Sequence, residues 1–379
     1  MDLSDTPSEA AFRAELRGWL TENPPGQAPR DERESFAFRR AWDRRLCAGG
    51  WSGVHWPREY GGRGATLVES AIYNEELARA QAPPPVNVIG LTLAGPTMMQ
   101  HGTEQQCARF LAPILTVDEI WCQGFSEPGA GSDLAAVATR AQSVPGGWRV
   151  NGQKVWTSFA HDAKWCLLLA RTDQEAAPPH RGLTYFLLDM EQPGVTVRRL
   201  RQITGDAEFS EVFLQDAFVA DDNVLGGVGN GWQVAMTTLS NERSGLVFGK
   251  SFYAKTLLDS LTAVADERGL LASEAVATAL GELHIQVETV RLTAYRNVTN
   301  EMRHGEPGPE GSIIKWIWSE ADQAVTETAI RLLGSEALAE DSRWSFELLR
   351  ARADTIESGT TEIIKNIVAE RVLGLPRLR

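Results

Sequence analysis

The spacing of apolar residues changes twice along this 379-residue chain, and that change limits its fold more than any other feature. Apolar positions recur at helical intervals first, then in short strand-like runs, then at helical intervals again. The pattern predicts an α+β multidomain protein, in which a helical N-terminal domain spans residues 1–119. We expect a central antiparallel β domain over 120–225 and a C-terminal domain like a four-helix bundle over 226–379.

The helical zones have clear local signals. In the first zone, residues 11–20, 33–46 and 69–80 carry helical spacing, and Pro83-Pro84-Pro85 predicts the end of the third helix. In the last zone, two apolar stripes at intervals of three and four residues predict helices packed on helices. The stripes are Val276, Leu280, Leu283, Val287 and Val290, then Ile314, Ile317, Ala321, Ala324 and Thr328.

The central zone reads as strands. Residues 165–170, 183–189, 195–200 and 208–214 are short runs rich in strand-forming residues and bounded by turn residues. Asn151-Gly152, between two further runs, predicts a hairpin with a two-residue turn. A sandwich or a barrel is compatible with this series.

Composition excludes several classes of function. Acidic residues outnumber basic ones by 50 to 37, a net charge of −13, which argues against a nucleic-acid-binding face. No apolar run is long enough for a membrane span, and the acidic first residues do not resemble a signal peptide. The four cysteines contain no C-x-x-C pair, so neither a zinc cage nor a disulfide framework is expected, and we predict no metal site. These features favour a cytoplasmic protein.

Residues 124–133 read GFSEPGAGSD and form the most informative segment. Such a glycine-rich loop brings backbone N–H groups and hydroxyls close to a ligand, although a simple tight turn would have the same composition. It is neither a P-loop nor a Rossmann fingerprint. The chain contains no G-x-S-x-G and no H-E-x-x-H, which argues against a serine hydrolase and a zinc protease.

With the segment VNGQKVWTS that follows, the string QGFSEPGAGSDL resembles the acyl-CoA dehydrogenase family. Further similarity lies at residues 56–62, 101–106, 241–243, 359–363 and 367–371, so the resemblance covers the whole chain. It implies an FAD-dependent flavoprotein that oxidises an acyl-CoA thioester, as in β-oxidation. A carboxylate removes the α-proton, and a hydride passes from the β-carbon to flavin N5. Electron-transfer flavoprotein is the implied electron acceptor.

The resemblance also implies the site residues. Those matched to cofactor contacts are Phe125, Ser126, Gly131, Ser132, Trp156, Ser158, Thr360 and Glu362. Donors near the N1/C2=O edge of the flavin stabilise its reduced form. Ser132 and Arg243 match positions near the acyl-CoA. Two alternatives stay open: Trp156 as a core residue of the β domain, and Arg243 as an ordinary helix-capping or ion-pairing residue.

The catalytic base departs from the common family pattern. The family's C-terminal loop usually reads Glu-Gly-Thr, but Ser358 stands before Gly359-Thr360 here. A second family solution places the base on the first long helix of the C-terminal domain, before an arginine, and Glu242 matches it. Glu357 is the alternative base. The Ser358 N–H is expected to donate to the thioester oxygen, whose charge increases as the proton leaves.

A second departure concerns assembly. In family homotetramers a neighbouring subunit contacts FAD through R-x-x-F-G and Q-x-x-G-G segments, whereas residues 268–271 read RGLL and 331–335 read RLLGS. Some actinobacterial members that act on steroid side-chain thioesters resemble this pattern as α2β2 assemblies. We therefore expect a second dehydrogenase-like subunit and a bulky acyl group. The alternatives are a homotetramer, a flavin oxidase or monooxygenase on a non-CoA substrate, and a non-catalytic subunit.

Overall fold

The computed structural model describes residues 4–29, 31–304 and 308–377, and for residues 242–248 it describes the helical backbone without the side chains. The helices are α1 (Pro7–Glu22), α2 (Glu32–Ala48), α3 (Leu67–Arg79), α4 (Gly95–His101), α5 (Glu104–Leu115), α6 (Gly231–Glu267), α7 (Glu274–His304), α8 (Gly311–Leu333), α9 (Arg343–Ala351) and α10 (Thr361–Ile367). The strands are β1 (Trp121–Gly124), β2 (Arg140–Val144), β3 (Gly147–Ser158), β4 (Trp165–Arg171), β5 (Leu183–Asp189), β6 (Val195–Leu200), β7 (Phe209–Ala220) and β8 (Val224–Leu225).

This order of elements confirms the predicted succession of helices, strands and helices. The described residues form two compact units. The helical unit comprises the described parts of Met1–Pro25, Thr66–Ala82 and Arg243–Arg379, and the sheet unit comprises those of Gly26–Ala65 and Pro83–Glu242. Among the described residues, no helix combines the length and the apolar character needed to cross a bilayer.

Several helices begin at a threonine capping box. Thr6, Thr66 and Thr103 each accept a hydrogen bond from the backbone N–H three residues later, and a Glu or Gln at that position binds back to the threonine N–H. The reciprocal bonds satisfy N–H groups that a helix start leaves without partners. The T-x-x-E and T-x-x-Q patterns therefore place the starts of α1, α3 and α5.

In the helical unit, the two predicted stripes form much of the core. On α7 the side chains of Leu280, Leu283, Val287 and Val290 are buried, and on α8 those of Ile314, Ala321 and Thr328 are buried. They belong to one apolar cluster with α6 residues such as Leu257 and Leu261, apart from Thr328. The prediction of helix-on-helix packing is confirmed.

The sheet unit contains eight described strands in the order β6-β7-β3-β2-β4-β5-β8, with β1 beside β4. Most pairings are antiparallel, as predicted, but β1 and β2 both run parallel to β4, so the sheet is mixed. Every residue of β4 is buried. Alternate β4 side chains enter two different clusters, one with α4 and α5 and one with β7. Burial of both faces explains why β4 reads as a continuous apolar run.

The hairpin prediction at Asn151-Gly152 is wrong. These residues lie inside β3, and the chain turns before it, at Gly146, whose φ is +78°. A Cβ at Gly152 would lie 2.5 Å from Thr139 Oγ1, so the glycine permits a close approach rather than a turn. The Asn151 side chain exchanges hydrogen bonds of 2.8 and 2.9 Å with Asp216 on β7. Cross-strand contacts therefore override the local turn signal.

Candidate functional site

The glycine-rich loop starts where β1 ends, at Gly124. Phe125 is buried and packs edge-on against Tyr185, with ring centroids 5.7 Å apart. Ser126 is half-buried, and its carbonyl accepts a 3.0 Å hydrogen bond from the Val155 N–H. Gly131 and Ser132 are exposed further along the loop. A Cβ at Gly131 meets no described atom within 4 Å, so packing within the described chain does not require this glycine.

A β-bulge on β3 displays the predicted tryptophan. The pairing of β3 with β7 shifts register between Lys154 and Thr157, and Trp156 within that bulge has a φ of +59°. Its ring is 61% exposed and contacts Phe209 edge-on. A bulky residue in the left-handed region is strained, and bulges often redirect a side chain at a binding site. The exposure contradicts the alternative of a core tryptophan.

The same segment carries hydrogen-bonding groups. Thr157 is fully buried, and its Oγ1 has no hydrogen-bond partner among the described residues. Ser158 follows and is half-buried. Because Thr157 is completely buried, a ligand on the surface does not reach its hydroxyl, and it adds nothing to the site. The exposed indole of Trp156, the half-buried Ser158 and the nearby Ser126 fit the polar edge and flat face of a flavin.

A buried ion pair joins the loop to β3. The Lys154 side chain is fully buried, and its Nζ lies 2.8 Å from Glu127 Oε1 and 3.0 Å from the Phe125 carbonyl oxygen. Both residues lie inside the segments quoted for the resemblance, yet neither was predicted as a site residue. A lysine among strand residues and a glutamate in a glycine-rich loop were the signals available in the sequence.

The C-terminal loop belongs to the helical unit and has an unusual backbone. Ser358 and Gly359 have φ values of +55° and +95°. Thr360 then caps α10, since its side chain accepts a 3.3 Å hydrogen bond from the Ile363 N–H. Glu362 is exposed in the first turn of α10. The contacts of Thr360 are those of a helix cap, and the predicted roles of Thr360 and Glu362 at the cofactor stay predictions.

Glu357, the alternative base, is held by cations. Arg350 donates hydrogen bonds of 3.0 and 3.2 Å to its carboxylate, and Lys250 Nζ lies 3.9 Å away. Burial by itself would raise the pKa of Glu357, but the charges of Lys250 and Arg350 outweigh burial and hold the pKa below its usual range. A base for a weakly acidic thioester α-proton needs a raised pKa. The environment of Glu357 therefore does not suit that role.

Beside Glu357, Asp354 is almost completely buried and accepts a 3.4 Å hydrogen bond from Arg350. Burial raises the pKa of Asp354 to about 9, and hydrogen bonding with Asp322 adds to the shift. Asp322 is also buried, on α8. This group of acids was not predicted, because its members are separated in sequence and Asp322 is one of two charged residues, with Lys315, among the buried residues of α8.

The structure brings together Phe125, Ser126, Trp156 and Ser158, with Gly131 and Ser132 on the same loop, in the sheet unit. It places Ser358, Thr360 and Glu362 together in the helical unit. The predicted base Glu242 and the predicted substrate contact Arg243 lie on α6, but their side chains are outside the described residues.

Comparison with protein families decides the identity of the fold. Models of the N-terminal, middle and C-terminal domains of acyl-CoA dehydrogenases match residues 6–118, 122–217 and 229–373. The chain belongs to the acyl-CoA dehydrogenase family. The predicted fold class is confirmed, and so is the prediction of an FAD-dependent oxidoreductase that dehydrogenates an acyl-CoA.

Individual relatives are similar over nearly the full length. The acyl-CoA dehydrogenase IpdE1 of Mycobacterium tuberculosis is 42% identical over 378 residues, which cover 97% of both chains. FadE34 of the same organism is 42% identical over 85% of this chain and 44% of its own length. Among solved structures, the Tcur3481-Tcur3483 steroid ACAD has a TM-score of 0.88 at 28% identity, with full coverage of both chains. The ChsE4-ChsE5 complex from M. tuberculosis has a TM-score of 0.86 at 27% identity, also with full coverage.

Proposed function

We propose that this chain is one subunit of a hetero-oligomeric dehydrogenase that oxidises a bulky, steroid-type acyl-CoA. The supporting observation is its similarity to two solved assemblies whose names join two different chains, one of them described as a steroid ACAD. The named relative IpdE1 and the two assemblies all align with nearly the whole chain. We also propose that the three domains span residues 1–119, 120–225 and 226–379, and that the protein lies in the cytoplasm.

The charges around the altered segments support the proposal. Arg268 forms a 2.7 Å salt bridge with Glu336. In the family resemblance this guanidinium contacts the FAD of a neighbouring subunit, but here it is paired with a carboxylate. Arg268 also follows the two acidic residues Asp266 and Glu267. Three carboxylates around one guanidinium at the first segment oppose binding of a pyrophosphate, whose recognition needs a net positive or donor-rich site, whereas the second segment adds the cation Arg331. A different subunit would then supply the contacts that these segments lack.

The glycine-rich loop, residues 124–133, and the β3 bulge between Lys154 and Thr157 contain the residues of this chain that would hold FAD. We propose that Ser126 and Ser158 donate to its polar edge and that Trp156 packs on the ring, with Phe125, Gly131 and Ser132 shaping the loop. When bound, FAD supplies the two-electron acceptor for the hydride that leaves the β-carbon. The strained, exposed Trp156 supports this placement.

For the substrate, we propose Glu242 as the base that takes the α-proton, Ser358 as the source of an N–H donor to the thioester oxygen, and Arg243 as a contact for the CoA arm. The low pKa of Glu357 supports Glu242 over Glu357. The positive φ of Ser358 and Gly359 supports a loop shaped to present a backbone N–H. We propose electron-transfer flavoprotein as the electron acceptor.

The base assignment is tested with the pair Glu242→Gln and Glu357→Gln, each purified with its FAD. We expect Glu242→Gln to lower kcat by about 10²–10⁴-fold at unchanged FAD content, which is the range for loss of a general base. We expect less than about a tenfold loss for Glu357→Gln, whose carboxylate acts through a salt bridge. Full turnover by Glu242→Gln, or the reverse order of the two variants, would refute the assignment.

The assembly is tested by the FAD-to-chain ratio and the solution mass of the chain, purified alone and after co-expression with a second dehydrogenase-like chain. We expect little bound FAD alone, and about one FAD for every two chains in a tetramer with the partner. One FAD per chain in a homotetramer would show that the partner is not needed. Bleaching of the flavin by a steroid side-chain acyl-CoA, but not by butyryl-CoA, would support the substrate class.

A further inference from the structure

Lys154 is a fully buried cation of the sheet unit, where burial lowers the pKa of its ammonium group and the charge of Glu127 acts against that shift. Moving an ammonium group out of water costs several kcal/mol even after relaxation, unless it is paired and hydrogen-bonded. Here the pairing is direct, since Nζ donates to Glu127 Oε1 at 2.8 Å and to the Phe125 carbonyl at 3.0 Å. Both acceptors lie on the glycine-rich loop, so the ammonium group of Lys154 fixes that loop against β3.

The Glu127 carboxylate is also held by several hydrogen bonds. Beyond Lys154, its carboxylate accepts hydrogen bonds from the Ala138 N–H at 2.7 Å and the Thr139 N–H at 2.9 Å. Burial would raise the pKa of Glu127, but the charge and hydrogen bond of Lys154, with those N–H groups, hold it below its usual range. The side chain is therefore an ionised carboxylate whose position is fixed from three sides.

The two hydrogen bonds from β3 fix the peptide units on both sides of Ser126. Lys154 binds the carbonyl oxygen of Phe125, and the Val155 N–H binds the carbonyl oxygen of Ser126 at 3.0 Å. The Phe125 carbonyl and the Ser126 N–H belong to one peptide group. A cation on the oxygen of an amide polarises it and strengthens its N–H as a donor, most of all where the local dielectric is low.

We propose that Lys154 is a positioning and electrostatic residue for the bound flavin, which fixes the Phe125–Ser126 peptide, strengthens the Ser126 N–H and favours reduced over oxidised flavin. This role rests on the proposed placement of the flavin beside Ser126 and Trp156. Glu127 acts in the opposite direction, because its negative charge partly offsets that of Lys154. The net effect of the two charges determines how strongly reduced flavin is favoured over oxidised flavin. In this proposal neither side chain contacts the substrate.

Because Lys154 and Glu127 carry opposite charges, their replacement is expected to shift the flavin potential in opposite directions. The protein is prepared with FAD, together with its second subunit if assembly requires it, and the two-electron midpoint potential and the FAD dissociation constant are measured. Lys154→Met is expected to lower the preference for reduced flavin about tenfold or more, a fall of about 30 mV in the potential. Glu127→Gln, which keeps the cation and its bond to Phe125, is expected to shift the potential upward.

Lys164→Met is the matched control. Lys164 lies in the same unit, just before β4, and pairs with Asp189 and Glu191 at 2.8 and 3.0 Å, but it makes no contact with the glycine-rich loop. Its potential should equal that of the wild type. A wild-type potential in FAD-bound Lys154→Met overturns the proposal. A shift of the same sign in Lys154→Met and Glu127→Gln overturns it too. If Lys154→Met does not retain FAD, an unchanged or lowered potential in Glu127→Gln overturns the proposal by itself.

Trp156→Ala separates this proposal from the placement on which it rests. If the flavin lies beside Trp156, this variant changes the flavin absorbance spectrum and weakens FAD binding. Wild-type spectrum and affinity in Trp156→Ala would refute the placement itself. A changed Trp156→Ala with an unchanged Lys154→Met would keep the placement and refute only the role of Lys154.

Discussion

The glycine-rich loop and the C-terminal loop both depend on buried charges, but the charges are arranged differently. Beside the first loop, one cation faces one carboxylate, Lys154 and Glu127, and hydrogen bonds occupy both partners. Beside the second, Asp354 and Glu357 lie near the cations Lys250 and Arg350, and Lys315 donates to the Asp354 carbonyl oxygen. A third acid, the buried Asp322, contributes to the raised pKa of Asp354.

The difference separates rigidity from pH response. In the Lys154–Glu127 pair each charge opposes the effect of burial on its partner: the pKa of Glu127 is held below its usual range, while burial lowers the pKa of Lys154 and Glu127 acts against that shift. Asp354 has a pKa raised to about 9, chiefly because it is buried, and therefore retains a proton at neutral pH. The ion pair therefore fixes the glycine-rich loop, whereas the buried acids place a group that keeps its proton at neutral pH beside the C-terminal loop.

The largest expected effect on stability comes from breaking the Lys154–Glu127 pair. Lys154→Met leaves the Glu127 carboxylate buried without its cation, and removal of one partner from a buried pair costs about 3–5 kcal/mol. Denaturant unfolding of the FAD-bound protein measures this loss. Lys164→Met, which breaks a partly exposed pair, should cost no more than about 1 kcal/mol. Equal losses in the two variants would show that burial does not distinguish these pairs.

The second prediction concerns the proton that Asp354 keeps. The pKa of Asp354 is higher in the folded than in the unfolded chain, so the folded state is favoured at low pH and loses that advantage as pH rises from about 4 towards about 9. Asp354→Asn mimics the protonated acid. The unfolding free energy of the wild type falls as pH rises through this window. In Asp354→Asn we expect this fall to be smaller by about 1 kcal/mol per pH unit. A wild-type slope in urea titrations from pH 5 to pH 8 would contradict the prediction.

Glu357 should respond in the opposite direction to Asp354. Its pKa is lowered in the folded chain, so its contribution to stability is present above the unfolded pKa and is lost as pH falls through the folded pKa. We expect Glu357→Gln to cost about 1 kcal/mol at pH 7, and we expect this cost to shrink as pH falls through the folded pKa of Glu357. Unfolding over a series of falling pH values measures it, and a loss that stayed constant in acid would assign the effect to packing instead.

The smallest effect belongs to an exposed pair that calibrates the others. Lys255 and Asp259 lie four residues apart on α6 at 2.8 Å, and both side chains are at least 40% exposed. Lys255→Ala should change the unfolding free energy by less than about 0.5 kcal/mol. Addition of 1 M salt should abolish even that change, while the loss in Lys154→Met persists. Comparable salt sensitivity in both variants would remove the distinction between the two classes.

Local sequence signals were sufficient for most elements. The strands predicted at residues 183–189 and 195–200 are β5 and β6 with the same bounds, and the stripes on α7 and α8 are buried. The resemblance of the segments around Ser126 and Trp156 to the family implied flavin contacts, and the exposure of Trp156 is compatible with that prediction, which stays a prediction. The strands and stripes were predicted correctly because side-chain period and caps act over a few neighbouring residues.

Tertiary structure decided what depends on distant residues. Asn151-Gly152 has the composition of a turn, but contacts with Thr139 and Asp216 keep it inside β3. Lys154 meets Glu127 across 27 residues, and Asp354 meets Asp322 across 32. Burial and pKa are properties of such encounters, because they depend on which charges and donors surround a group. The sequence by itself determined the elements, the family and the cofactor class, while the folded chain decided which charges are paired and which acid keeps its proton.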